Sequence, residues 1–204
     1  MRYGMVIDTK LCFGCHSCSV ACKLSNNLPD GIWWNTIETD GGATMDTAGG
    51  QFPNNFMNFY PRSCQHCTNA PCVEKCPTGA AYKREDGIVL VENEKCIGCG
   101  LCVEACPYDV RVLYTEEPQY YSDFKLGEYD APEHKVNTVE KCTLCANLLD
   151  RGETPACVKA CMNHARIVGD LDDPNSAVCK AMEGRKIALW KEENGTGPNV
   201  IYLL

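Results

Sequence analysis

The chain has 204 residues, of which 17 are cysteine, and its formal net charge is −8 at pH 7. This length allows one large domain or two small ones, and cysteine at about 8% of the residues is typical of a metal or disulfide scaffold. The acidic balance, without a basic stripe, argues against nucleic acid as a partner. No apolar run predicts a membrane helix, and the N-terminus lacks the apolar region of a signal peptide. The expected compartment is either the cytoplasm or one that the chain reaches bound to a partner with a signal.

Short strands and four groups of cysteines alternate along the chain. A strand is predicted at M-V-I-D before the first group, and another at A-R-I-V-G-D after the last. All four groups have the spacing of iron–sulfur ligands, and group three is the full bacterial ferredoxin run C-x2-C-x2-C-x3-C-P. In chain order the groups are Cys12, Cys15, Cys18 and Cys22; Cys64, Cys67, Cys72 and Cys76; Cys96, Cys99, Cys102 and Cys106; and Cys142, Cys145, Cys157 and Cys161.

Between groups two and three the sequence predicts a β-hairpin. A-A-Y-K-R is read as one strand, E-D-G as a tight turn and I-V-L-V as the returning strand. A hairpin between two cysteine motifs is the arrangement of a two-cluster ferredoxin. Each C-x-x-x-C segment is expected to open a short helix, and the proline after the last cysteine, as at Pro77 and Pro107, sets the chain direction.

Long segments without ligand patterns separate and follow the groups. Residues 23–63 and 107–141 are rich in aromatic residues and too long to be simple connectors. Their aromatic side chains either shield the cysteine groups from solvent or form a docking surface for a larger subunit, where aromatics are enriched. Residues 170–204 are predicted to be a docking segment, because the apolar run at their end must pack against another surface.

The sequence therefore predicts an α+β fold made of two ferredoxin-like two-cluster units, with small β-hairpins, short helices and long connecting segments. Residues 64–106 form the central unit. Residues 1–22 and 142–169 form an outer unit assembled from both chain ends, because group one would otherwise lack a partner motif.

Four groups of four thiolates predict four 4Fe–4S clusters. Disulfides suit a short secreted chain with spread cysteines, whereas these cysteines are clustered. Structural zinc needs only two C-x2-C pairs per site and does not explain the ferredoxin run of group three. Four thiolates occupy the four irons of a cubane, so no iron is left open for substrate.

The crossover rule of two-cluster ferredoxins predicts which cysteines share a cluster. The first three cysteines of one motif bind one cluster, and the last binds the neighbouring cluster. Set 1 is then Cys12, Cys15, Cys18 and Cys161; set 2 is Cys142, Cys145, Cys157 and Cys22; set 3 is Cys64, Cys67, Cys72 and Cys106; and set 4 is Cys96, Cys99, Cys102 and Cys76.

Other polar residues near the groups have simpler interpretations. His16 and His66 lie inside motifs whose cysteine count is complete, so neither is expected to bind iron. Cys179 is read as a buried, inert thiol. No catalytic triad, phosphate loop or carboxylate pair is visible, so no catalytic residue is predicted. Several lysines flank ligands, where they either are solvated or raise a local potential: Lys10, Lys23, Lys75, Lys95, Lys141 and Lys159.

The four motifs in this order resemble the iron–sulfur subunit of the dimethyl sulfoxide reductase family, the electron-transfer subunit of bis-molybdopterin oxidoreductases. The resemblance runs over nearly the whole chain and includes G-M-V-I-D, C-F-G-C-H-S-C-S-V-A-C-K, P-R-S-C-Q-H-C, K-C-I-G-C-G-L-C-V-E-A-C-P-Y and V-E-K-C-T-L-C. It implies a large catalytic partner holding molybdenum or tungsten on a pterin, and often a membrane quinol-oxidising subunit. The implied complex is an anaerobic respiratory-type reductase of the sulfoxide, polysulfide, tetrathionate or arsenate class.

Two other functions compete with this one. R-E-D-G-I-V-L is similar to the small subunit of pyrogallol transhydroxylase, but that subunit has lost one set of ligands and this chain keeps all sixteen. A free polyferredoxin would carry electrons between separate enzymes, but it would not need the long aromatic segments. We therefore expect a non-catalytic subunit, with the unit built from groups one and four facing its catalytic partner.

Overall fold

The computed structural model describes residues 1–44 and 46–204, and it combines short strands with short helices. The strands are β1 Tyr3–Asp8, β2 Asn35–Asp40, β3 Gly49–Gln51, β4 Asn54–Phe56, β5 Asn58–Ser63, β6 Ala81–Lys83, β7 Val89–Val91, β8 Val112–Leu113, β9 Val139–Glu140, β10 Arg166–Asp170, β11 Ile187–Leu189 and β12 Val200–Leu203. The α-helices are α1 Ser17–Ser25, α2 Pro71–Glu74, α3 Leu101–Glu104, α4 Ala146–Asp150, α5 Ala156–Lys159 and α6 Ala177–Met182. Single 3-10 turns lie at Asn93–Lys95 and Glu192–Asn194. This mixture confirms the predicted α+β class.

A four-stranded sheet in the order β10-β1-β12-β11 joins the two ends of the chain. β1 is antiparallel to β10 and parallel to β12, and β12 is antiparallel to β11. The strands predicted at M-V-I-D and A-R-I-V-G-D are therefore both present, and they pair with Met5 opposite Val168.

Side chains on the two faces of β1 pack into two different cores, which explains why Met5, Val6 and Ile7 are all apolar instead of alternating with polar residues. Met5 and Ile7 belong to a core that also contains the cysteines Cys18 and Cys157. Val6, on the other face, packs in a core with Val178 of α6. The sheet thus carries ligand-bearing elements on one face and is covered by α6 on the other.

The predicted hairpin between groups two and three is present. β6 and β7 are antiparallel, and Arg84 N–H donates to Ile88 O over 2.9 Å to close the turn. Ile88 enters the same core as β1, whereas Val89 enters a core with Cys67, Cys72 and Cys102. The hairpin therefore contributes to both cores.

Within the ligand motifs the helices are short. α2, α3 and α5 are single turns that begin just before the third cysteine of groups two, three and four, while α1 carries two cysteines of group one. Among the described residues no helix is long and apolar enough to cross a membrane.

The segments predicted as connections contain strands of their own. β2 and β5 form a six-residue antiparallel ladder that carries Ile37 into the core beside Cys18. The apolar run at the C-terminal end is β12, buried between β1 and β11. Residues 200–203 therefore pack within this chain, and a docking role for residues 170–204 remains a prediction for the rest of that segment.

We predict that Ile7→Ala lowers the free energy of unfolding by about 2–5 kcal/mol, because it leaves a cavity in a fully buried site. Ile7 is 0% exposed, whereas Ile187 in the same sheet is 48% exposed. Ile187→Ala is the matched control and should lower the free energy of unfolding much less. Anaerobic denaturant unfolding followed by circular dichroism measures both, and equal losses would contradict this placement of the core.

Candidate iron–sulfur ligand sites

The first three cysteines of group one lie at one cavity together with the last cysteine of group four. Cys12, Cys15, Cys18 and Cys161 all line this cavity, which is the membership predicted for set 1. Gly14 lets the loop close: its φ is +71°, and a Cβ there would come within 2.4 Å of the Phe59 ring. Cys15 is exposed, whereas Cys18 is buried.

Around Cys22 the structure brings together the four cysteines predicted for set 2. Burial raises the pKa of Cys22 well above its ordinary value, and the neighbouring Cys142, Cys157 and Cys145 raise it further. Burial, with Cys157 as the nearest charge, likewise raises the pKa of Cys142 and of Cys145 to about 12. This is the most deeply buried of the four sets.

A second cavity holds the four cysteines predicted for set 3. Its lining includes Cys64, Cys67, Cys72 and Cys106, so the last cysteine of group three lies with group two. Burial first, and then the charge of Cys64, raises the pKa of Cys67 to about 12.

Three of the four cysteines predicted for set 4 are neighbours. Burial raises the pKa of Cys102, and the charges of Cys96 and Cys76 add to that increase. Cys76 Sγ accepts a hydrogen bond from Ala81 N–H at 3.3 Å, which fixes it at the start of the hairpin. Cys99 is exposed in the loop before α3.

Adjacent sets are in electrostatic contact with each other. The charge of Cys64, in set 3, contributes to the raised pKa of Cys142, in set 2, after burial and the charge of Cys157. Cys72 and Cys64 of set 3 and Cys102 of set 4 all raise the pKa of Arg111, and Cys157 of set 2 and Cys18 of set 1 raise that of Arg166. These couplings link set 1 to set 2, set 2 to set 3, and set 3 to set 4.

The donor chemistry of the interior fits iron–sulfur clusters. His66 is fully buried and its Nδ1 accepts from Val89 N–H at 3.1 Å, so its proton is on Nε2. Burial, followed by the charges of Lys141 and Arg111, lowers the pKa of His66 well below its ordinary value, which keeps the ring neutral. Among the described residues, His66 Nε2 and Arg111 Nη1 are buried without a hydrogen-bond partner. Cluster sulfides would accept such hydrogen bonds.

The same interior does not contain a compact site for one ion. In the described part of the chain no three His, Cys, Asp or Glu side chains are placed to hold a single metal. Each iron of a cubane takes one protein thiolate, so the ligands of a cluster stand further apart than those of one zinc ion.

The flanking lysines are mostly solvated. Lys10, Lys75, Lys95 and Lys159 are exposed. Lys141 differs: it is buried, and its ammonium group donates to Val89 O and, over 2.8 Å, to Cys142 O. Lys141 therefore joins set 2 to the β6–β7 hairpin. Its position in the sequence, beside a cysteine, did not indicate that it is buried.

The aromatic residues of the long segments are partly buried beside predicted ligands and partly exposed, and a docking role for the exposed ones stays a prediction. Tyr108 lines the set 3 cavity, and Trp34 packs in a core with Cys22, so both shield ligands. The exposed ones are Trp33, Phe52, Phe56, Tyr120, Tyr121, Phe124 and Tyr129.

Cys179 stands apart from all four sets. Its Sγ lies 3.6 Å from Leu171 O and 3.8 Å from Asp170 O, on the α6 side of the sheet. It is half-buried, less deeply than predicted.

Two family models match the chain, and together they span all sixteen cysteines of the four groups. A 4Fe-4S dicluster domain matches residues 55–121 and 128–171, and a 4Fe-4S binding domain matches residues 9–27.

Several relatives that match over nearly the whole chain are named as subunits of reductases. The chain is 44% identical to a Halobacterium salinarum protein named for the iron-sulfur subunit of dimethyl sulfoxide reductase, over 99% of this chain and 79% of the relative. It is 40% identical to a tetrathionate reductase subunit of Salmonella typhimurium, over 99% and 72%. It is 39% identical to the arsenate respiratory reductase iron-sulfur subunit of a Shewanella species, over 100% and 96%.

These likenesses define an iron–sulfur protein with a 4Fe-4S dicluster domain. Within that class, the chain belongs to the iron–sulfur subunits of the dimethyl sulfoxide reductase family, which confirms the resemblance carried by the motifs.

Double substitutions test the crossed placement of the last cysteines. We predict that Cys106→Ala removes the same cluster as Cys64→Ala, so that the double variant loses no more iron than either single variant. Cys106→Ala combined with Cys96→Ala should lose about twice as much, because those two cysteines lie in different sets. Iron content of the anaerobically purified protein measures this, and the reverse pattern would show that each group binds its own cluster.

Proposed function

We propose that this chain carries four 4Fe–4S clusters on sets 1 to 4 and relays electrons to or from a molybdenum- or tungsten-pterin catalytic subunit. The observation that carries the proposal is the crossed placement of Cys22, Cys76, Cys106 and Cys161, each beside cysteines of the partner motif. Membership of the iron–sulfur subunit family makes the chain an electron-transfer subunit and not a catalyst on its own.

Each cluster, when bound, supplies one-electron transfer without an open iron. The residues of this chain provide the surroundings. Two separate apolar cores enclose ligands of sets 1 and 2 and of sets 3 and 4, respectively. The buried donors of His66 and Arg111 offer hydrogen bonds to sulfur, which together with burial tune a cluster's potential.

The division into two units is part of this proposal. Pairing of β1 with β10 supports an outer unit of residues 1–22 and 142–169, because it brings both ends of the chain to sets 1 and 2. The β6–β7 hairpin supports a central unit of residues 64–106.

The couplings between neighbouring sets support an arrangement in the order 1, 2, 3, 4, which gives the assembly two ends. At the set 1 end Cys15 is exposed and is accompanied by the exposed apolar residues Leu11, Phe13 and Met162. At the set 4 end Cys99 is exposed and is accompanied by Ile97 and Leu101. Exposed apolar side chains around a ligand loop are typical of a docking surface.

We assign the set 1 end to the catalytic partner and the set 4 end to an external electron donor or acceptor. A membrane quinol-oxidising subunit is the proposed occupant of the second position. The relatives named for dimethyl sulfoxide, tetrathionate and arsenate reductases support an oxyanion or sulfur-compound reductase as the complex.

The cluster number has a direct chemical test. We predict about sixteen iron and sixteen inorganic sulfide per chain in the anaerobically purified protein, because four complete sets each hold one cubane. Cys179→Ser is the control and should leave both values unchanged, since Cys179 lies outside the sets. A value near eight iron, or stoichiometric zinc, would overturn the proposal.

Docking at the set 1 end is tested by a matched pair of charge substitutions. We predict that the tagged chain co-purifies from its host at fixed stoichiometry with a subunit of several hundred residues, and that Phe13→Glu abolishes this. Ile97→Glu changes a residue at the same motif position in group three that is 63% exposed, against 53% for Phe13, and it should retain that subunit. Iron content of both variants excludes cluster loss as the cause. Substrate turnover by the isolated chain, or loss of the subunit with Ile97→Glu alone, would contradict the assignment.

A further inference from the structure

Two buried arginines occupy the same place in the two units. Arg111 follows Cys106 by five residues, and Arg166 follows Cys161 by five residues. Arg111 is 5% exposed and Arg166 is 3% exposed. Each guanidinium lies in the interior beside ligand cysteines, at the boundary between two sets.

Arg111 lies between sets 3 and 4. Its Nη2 donates to Cys72 Sγ over 2.9 Å, and the side chain lines the set 3 cavity. Burial alone would lower the pKa of Arg111, but the neighbouring Cys72, Cys64 and Cys102 hold it above its ordinary value. Cys72 and Cys64 belong to set 3, and Cys102 belongs to set 4.

Arg166 lines the set 1 cavity and lies within reach of Cys157 of set 2. It is the first residue of β10, and its Nη2 donates to Asn35 Oδ1 over 2.6 Å. Burial would lower its pKa as well, but Cys157 of set 2 and Cys18 of set 1 hold it above its ordinary value.

Neither guanidinium has a carboxylate partner. Among the described residues, every Arg or Lys ion pair involves other side chains than Arg111 and Arg166. A buried cation is strongly unfavourable without an anion nearby. The sulfur ligands and the clusters they hold are therefore the counter-charge of both arginines.

We propose that Arg111 and Arg166 are each a cation shared by two neighbouring clusters, and that each raises the reduction potential of both clusters in its unit together. The inference rests on the proposed function, since it requires four bound clusters. Reduction adds one negative charge to a cluster, and a cation fixed nearby at low dielectric stabilises the reduced form. Arginine suits this role because it stays protonated and its forked donors can reach two acceptors.

Charge substitutions in the assembled protein test the sharing. EPR-monitored redox titration of Arg111→Gln should show the clusters of sets 3 and 4 both harder to reduce, with those of sets 1 and 2 unchanged. Arg166→Gln should give the reverse. The expected fall in the equilibrium constant for reduction is about tenfold for each affected cluster, or about 59 mV for a one-electron couple.

Two control variants distinguish the effect of the buried charge from that of any substitution near a cluster. Arg111→Lys keeps the charge and should retain most of both potentials. Lys95→Gln removes a cation next to Cys96 that is 56% exposed and paired with Glu92, so it should shift nothing. A shift confined to the cluster held by Cys72, or no shift at all, would overturn the sharing.

A measurement on the unsubstituted protein covers the case in which the glutamine variants lose their clusters. In the chain labelled with ¹⁵N-arginine, pulsed EPR of the reduced clusters should show ¹⁵N couplings from the guanidinium groups in both units, and their absence would refute the inference. Fewer than four clusters in the same sample would instead refute the proposed function.

Discussion

The structure depends on holding many thiolates in a small interior. Burial raises the pKa of Cys67, Cys142 and Cys145 to about 12, so the anionic form that binds metal is unfavourable there by itself. The charge must be offset by metal, by hydrogen-bond donors or by cations, because an unpaired buried anion is costly. The chain provides for all three, with four predicted ligand sets, buried N–H groups, and the buried cations Arg111 and Arg166.

The apolar cores are organised around the ligands and not apart from them. Cys18 and Cys157 belong to the core that holds β1, and Cys67, Cys72 and Cys102 belong to the core that holds Val89. One-turn helices and two- or three-residue strands are too short to be stable alone. Loss of a cluster should therefore disturb packing around it as well as electron transfer, because the same side chains serve both.

The sequence predicted local features well and long-range ones poorly. Cysteine spacing, the β6–β7 hairpin and the strands flanking groups one and four are set by short patterns, and the structure contains them. The β2–β5 ladder and the place of β12 depend on pairing partners far away in the chain, which no local period reveals. Arg111 and Arg166 were missed because an isolated arginine looks solvated until its neighbours are known, whether it lies just before a strand, as Arg111 does, or begins one, as Arg166 does. Their equal five-residue distance from a last cysteine was the one signal that could have identified them.

The parallel pairing of β1 with β12 also sets an order of events during biosynthesis. Residues 64–106 form their hairpin and bring groups two and three together from one continuous stretch, so they are complete while the chain is still growing. β1, in contrast, remains without one of its two neighbours until residues 200–203 have been synthesised. The thiols of group one also stay without their predicted partner at least until Cys161, the last cysteine of set 1, has been synthesised. A reducing environment at that stage protects them, because an oxidised cysteine can no longer bind iron.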